Sequence, residues 1–299
     1  MFRWLLLLGL LAPAAQADDF IDWLSDPSPS HGTLKSPTHR ESFVTVSTEI
    51  GKGGRYGVGL STAIGLDSEW QFLASGNYSR LDATTGILEG RLGANFQKSR
   101  QFELNLSGSG SVGPGTNRAF GTLIEAQWWL SALWNGKRAT VLRTTGGYTH
   151  YSLPIGLLAT RQVPVSSFQG TWGLMQEMFA GFFVELSYSC YSYDVSADLI
   201  RRGLTNSRVL PSSSYGAVTQ FPSHEWLLTA KWNASERLSF GSGAFSTRTF
   251  ATGTTTWGVS PYAEVALSPS IITTVRGTLS WPGDGTTSYL MAALIDFYW

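Results

Sequence analysis

The chain has 299 residues, a formal net charge of zero and 14% charged residues, where an ordinary soluble domain carries about 25%. Neutrality gives no argument for a basic surface or for nucleic acid. The single cysteine, Cys190, excludes an intramolecular disulfide framework.

At the N-terminus, Arg3 precedes an apolar run from Trp4 to Leu11, followed by Pro13 and Ala15-Gln16-Ala17. That layout predicts a signal peptide over residues 1–17, cleaved before Asp18. The run is too short to cross a bilayer. No cysteine stands at the cleavage site to carry a lipid. Residues 18–40 differ in composition. Phe20, Trp23 and Leu24 are spaced i, i+3, i+4 among Asp18, Asp19, Asp22 and Asp26, the pattern of a short amphipathic helix. Pro27, Pro29 and Pro37 then mark a flexible tether.

From Glu41 onward the chain reads as about fourteen strands, within a range of 12 to 16. They fall near 41–50, 55–66, 70–79, 87–96, 101–111, 120–134, 139–150, 164–176, 181–193, 217–233, 237–249, 255–267, 271–281 and 286–299. Alternation is clean in several. Trp70, Phe72, Ala74, Gly76 and Tyr78 oppose Gln71, Ser75, Asn77 and Ser79, with Leu73 breaking the pattern. Ile124, Ala126, Trp128, Leu130, Ala132 and Trp134 oppose Glu125, Gln127, Trp129 and Ser131. Period-two patterning places one side of each strand in an apolar medium. No run of 18 apolar residues remains to form a spanning helix. With 33 Gly, 12 Trp, 11 Tyr, 16 Phe and a mean hydropathy of −0.02, the composition suits a wall with lipid on one side and a polar interior on the other.

A soluble sandwich would alternate too, so connection lengths and ring positions carry the distinction. Connections after even-numbered strands are short: 67–69, 97–100, 135–138, 233–236 and 268–270. Several odd-numbered ones are longer: 80–86, 112–119, 151–163 and 194–216. Rings gather beside the short turns, at Trp70, Phe96, Phe102, Trp134, Phe182, Trp232, Phe240 and Trp299, as an interfacial aromatic girdle requires. Tyr289, Met291, Ala293, Ile295, Phe297 and Trp299 form an alternating stripe ending on the last residue.

In that last strand, the leader and the general layout, the chain resembles Gram-negative outer-membrane β-barrel proteins as a group. Its strand number is similar to that of the small monomeric porin class. The resemblance implies an all-β transmembrane antiparallel up-and-down barrel over 41–299. It also implies that the barrel-assembly machinery reads Tyr289, Ile295, Phe297 and Trp299, with Trp299 in place of the commoner terminal Phe. Outer-membrane lipid and lipopolysaccharide would surround the barrel. Residues 18–40 would then lie in the periplasm, as a plug, as a docking segment for a periplasmic partner, or as a disordered leader.

Extending the alternation points Glu49, Glu89, Arg91, Glu103, Glu125, Arg143, Glu185, Lys231, Glu264, Arg276 and Asp296 inward, away from hydrocarbon. Arg91 is expected to pair with Glu103, Glu125 with Arg143, and Arg276 with Glu264 or Asp296. Trp129, Phe183, Tyr191, Tyr193, Phe245, Tyr262 and Tyr298 would narrow the interior. The leading expectation is a passive or gated channel for small polar solutes or a saccharide, without catalytic residues, metal or cofactor. Two alternatives stay open. One is a structural or docking barrel whose interior charges only stiffen the wall. The other is a lipid-modifying enzyme or protease, for which His150 with Asp194 or Asp198 at one rim and His224 beside Glu225 are the only candidates. No metal-ligand spacing, phosphate loop or serine elbow appears. Arg201, Arg202 and Arg208, in the loop 201–215, could meet lipopolysaccharide phosphates or simply be solvated.

Overall fold

The computed structural model describes residues 42–51, 55–67, 69–80, 86–99, 102–112, 118–130, 139–155, 161–195, 221–235, 237–283 and 287–299. The leader, the tether with His31 and His39, Trp134 and the loop 201–215 lie outside them. The strands are β1 (Phe43–Gly51), β2 (Arg55–Gly65), β3 (Trp70–Arg80), β4 (Gly86–Ser99), β5 (Phe102–Val112), β6 (Arg118–Trp129) and β7 (Thr140–Ile155). The second half comprises β8 (Arg161–Phe179), β9 (Phe182–Tyr193), β10 (Pro222–Ser235), β11 (Leu238–Thr249), β12 (Thr255–Ser268), β13 (Ile271–Pro282) and β14 (Ser288–Tyr298). Each pairs antiparallel with its sequence neighbours, and β1 pairs with β14, so the sheet closes on itself. Closure leaves no strand edge unpaired, which a sheet immersed in hydrocarbon requires.

Exposure runs opposite to that of a soluble protein. Leu60, Leu92, Leu186 and Leu228 are 57%, 61%, 50% and 49% exposed, whereas Glu125, Glu185, Lys231 and Asp296 are 8%, 6%, 5% and 1% exposed. Apolar residues therefore face outward and charged ones inward, the arrangement of a barrel wall in lipid. Leu73, the exception in β3, sits half-buried on the inner face with Gln71 and Ser75.

Several strand limits differ from those expected. β6 starts at Arg118, β10 starts at Pro222, and β8 runs from Arg161 to Phe179. The loop expected over 151–163 is instead a hairpin extension, because β7 continues to Ile155. Pro154 and Pro164 fall within this extension. They are tolerated because, among the described residues, β6 pairs only as far as Ser152 and the ladder with β9 begins at Ser167. Beyond those points β7 and β8 pair only with each other among the described residues, so a missing N–H disrupts no second described ladder.

Two glycines carry specific geometry. Gly181 turns β8 into β9 at a φ of 76°. Gly241 faces the interior between Lys231 and Tyr262, and a Cβ placed there would stand 2.1 Å from the Tyr262 ring. Gly241→Val should therefore displace that ring and cost about 1–3 kcal/mol. Gly76→Ala, with nothing within 4 Å of the new Cβ, should change stability little. Urea unfolding of folded barrel in liposomes, followed by tryptophan fluorescence, compares the two. In the same assay Leu186→Arg, near the middle of β9 on the outer face, should cost about 2–4 kcal/mol. A soluble fold would tolerate that exposed arginine.

Candidate functional site in the barrel interior

The closed register sets which side chains meet inside. Odd-numbered residues of β1 to β11 and even-numbered residues of β12 to β14 share the inner face, as pairings such as Gly241 with Tyr262 and Thr45 with Asp296 link them. All eleven charged positions expected inside lie on this parity, and each of them is buried or half-buried.

They gather into three groups. On β6, β7 and β9, Arg143 Nε meets Glu125 Oε1 at 3.0 Å, and Gln127 Nε2 donates to the same oxygen at 3.1 Å. Glu185 lies close to this pair, in space left by Gly173, whose Cβ would stand 2.8 Å from its carboxylate oxygen. On β10 to β14, Lys231 Nζ stands 3.9 Å from Glu264 Oε2. Asp296 accepts a hydrogen bond from the Thr45 hydroxyl across the β1–β14 seam. Arg276 sits opposite Tyr262 in the β12–β13 register. On β4 and β5, Arg91 Nε donates to Ser107 Oγ at 3.0 Å, while Glu103 accepts from the Asn95 amide. Glu49 lies over Gly57, and Glu89 is half-buried on the same wall.

The ion pairs are nearly dry. Side-chain exposure is 16% for Arg143 and 10% for Glu125, and 6% for Lys231 and 14% for Glu264. Removing one member should strand the other. Arg143→Met should cost about 3–5 kcal/mol, and Arg143→Met with Glu125→Gln clearly less than the sum of the single changes. Liposome unfolding curves of the four proteins give the coupling.

Inner rings add bulk. Phe183 and Tyr262 are buried, while Trp129, Tyr191, Tyr193, Phe245 and Tyr298 are half-buried on the same face. The sequence reading missed three interior residues: Glu225, Tyr151 and Phe221. Tyr151 is 2% exposed and Phe221 fully buried. Glu225 was legible, because it opposes the outward stripe Trp226, Leu228 and Trp232, which are all about half exposed. Phe221 carried no such signal, since it lies just before β10 and owes its burial to β7 and β9.

The outer face carries the rings expected at the short-turn rim. Trp70, Trp232, Phe240 and Trp299 are exposed. Phe96 packs on Trp70 with centroids 4.6 Å apart, Phe102 on Trp128 at 5.5 Å, and Phe182 on Phe179 at 4.7 Å. Tyr289, Ile295 and Phe297 continue that outward stripe to Trp299. Both barrel histidines also face outward. His150 Nδ1 is 3.2 Å from Ser166 Oγ, and His224 Nδ1 is 2.7 Å from the Tyr188 hydroxyl. The Asp194 carboxylate accepts from the Ser166 backbone N–H at 2.8 Å, so it anchors β8 and is not aligned on His150.

No protein-family model and no curated protein sequence matches the chain. Solved structures do. An outer membrane channel from Pseudomonas putida F1 is similar at 10% identity over 89% of this chain and 99% of that one, with a TM-score of 0.50. CdiB from Acinetobacter baumannii is similar at 8% identity over 87% of this chain and 60% of that one, with a TM-score of 0.51. The outer membrane protein Omp33 from Acinetobacter baumannii gives 10% identity over 88% and 99%, with a TM-score of 0.49. The likeness is one of fold: the chain shares with these outer-membrane proteins a closed antiparallel β-barrel.

Proposed function

We propose that this barrel is a constricted passive channel for small polar solutes, with a preference for cations. The observation that carries the reading is the placement of charge. Acids outnumber bases on the inner parity, and the nearest oily medium is on the other side of the wall. Fixed charges lining a narrow path set both selectivity and rate. The low exposure of Lys231 and Glu264 and the inward rings make the path tight, so small ions and slender solutes should pass more readily than a saccharide. The same tight packing favours a second reading, a sealed barrel that serves as scaffold or dock. Within the proposal, Tyr289, Ile295, Phe297 and Trp299 serve assembly, and residues 18–40 face the periplasm, free to plug the path or meet a partner.

Planar-bilayer recording of the purified protein tests the channel. Discrete currents are expected, with a reversal potential in a potassium chloride gradient displaced toward the potassium equilibrium value. A silent bilayer, with folded barrel confirmed in the membrane, overturns the channel in favour of the sealed dock.

A further inference from the structure

In the outer half of the interior, β7, β9 and β10 bring several rings and one carboxylate together. The Phe221 ring lies 5.0 Å from both Tyr151 and Tyr193, nearly parallel to the latter. Tyr193 also meets Phe250 at 4.7 Å, and its hydroxyl donates to the Pro222 carbonyl at 2.8 Å. These four rings form a packed backing wall. Two neighbours are not so engaged. Tyr191, two residues before Tyr193 on the same face, stacks on no ring among the described residues, and its buried hydroxyl lies beside Ser189 outside hydrogen-bond geometry. Glu225 stands opposite Ser189 in register, close enough for its charge to act on the Tyr191 hydroxyl. Among the described residues it forms no ion pair or hydrogen bond, unlike Glu125 and Glu264.

We propose that Glu225, Tyr191 and the rings behind them form a binding site for an organic cation, an alkylammonium or guanidinium group. The half-buried Glu225 carboxylate has no partner among the described residues, and a cation supplies the missing interaction. Ring faces carry negative quadrupole density and attract the same charge, with an apolar collar around it. A hard metal ion fits poorly, because it needs six or more oxygens and the described residues offer one carboxylate and a few hydroxyls here. A neutral saccharide would stack on the rings but leave Glu225 uncompensated. The inference deepens the channel reading, since it names the class of solute that the outer half of the path would select.

Choline is the probe, and calorimetry on the detergent-solubilised full chain is the readout, because it does not require conduction. Saturable binding is expected, at least about tenfold weaker for the uncharged isostere 3,3-dimethylbutan-1-ol and at least about tenfold weaker in Glu225→Gln. Absence of choline binding overturns the proposal, as does equal affinity of the isostere or wild-type affinity in Glu225→Gln. Should Glu225→Gln fail to fold, Tyr191→Leu carries the same test, with about a fivefold loss expected and unchanged affinity overturning the site. Bilayer recording separates the two readings. A silent bilayer with Glu225-dependent choline binding removes the channel and keeps the site, and currents without choline binding do the reverse.

Discussion

Backbone satisfaction in hydrocarbon is the constraint from which the rest follows. A peptide N–H or C=O facing lipid tails has no water to bond, so the sheet must close. The seam where Phe43–Gly51 meets the last strand makes that closure, and the ends are tied there too: the Trp299 N–H donates to the Ser42 carbonyl at 3.0 Å, and the Tyr298 N–H to the Ser270 carbonyl at 3.0 Å. Once closed, each strand has one face in lipid and one enclosed. Period-two alternation then sorts the composition, with leucines and rings outward and carboxylates, guanidinium groups and hydroxyls inward.

Much of this was legible because the sorting is strict along single strands. The stripes in 120–134 and in the last strand oppose polar residues almost without exception, and they set strand parity even where the limits were off by several residues. The Arg143–Glu125 ion pair follows from a hairpin alone, since the two residues are diagonal neighbours across β6 and β7. Contacts that skip a strand could not be read in this way. Lys231 reaches Glu264 past β11, which presents only Gly241 and Ser239 between them. That contact spans an intervening strand, and no local pattern encodes it. Tyr151 lies on β7, Tyr193 on β9 and Phe221 just before β10, so the meeting of their rings is a property of the closed sheet.

The interior is organised more like a core than a pipe. Ion pairs with little exposure gain electrostatic strength as water is excluded, and they also become harder to rearrange. Such groups lock the side chains that fill the interior, and the glycines beside Glu49, Glu185 and Tyr262 leave the room that this packing needs. Stiffness and narrowness thus have one cause, the filling of a small enclosed volume by charged and aromatic side chains.

Among the described residues, the β7–β8 ribbon extends past the pairings with β6 and β9. An unpaired ribbon side invites chain-to-chain zippering. Pro154 and Pro164 each withhold an amide hydrogen from that stretch. Along the described residues this stretch therefore offers a neighbouring strand fewer donors than its length would allow.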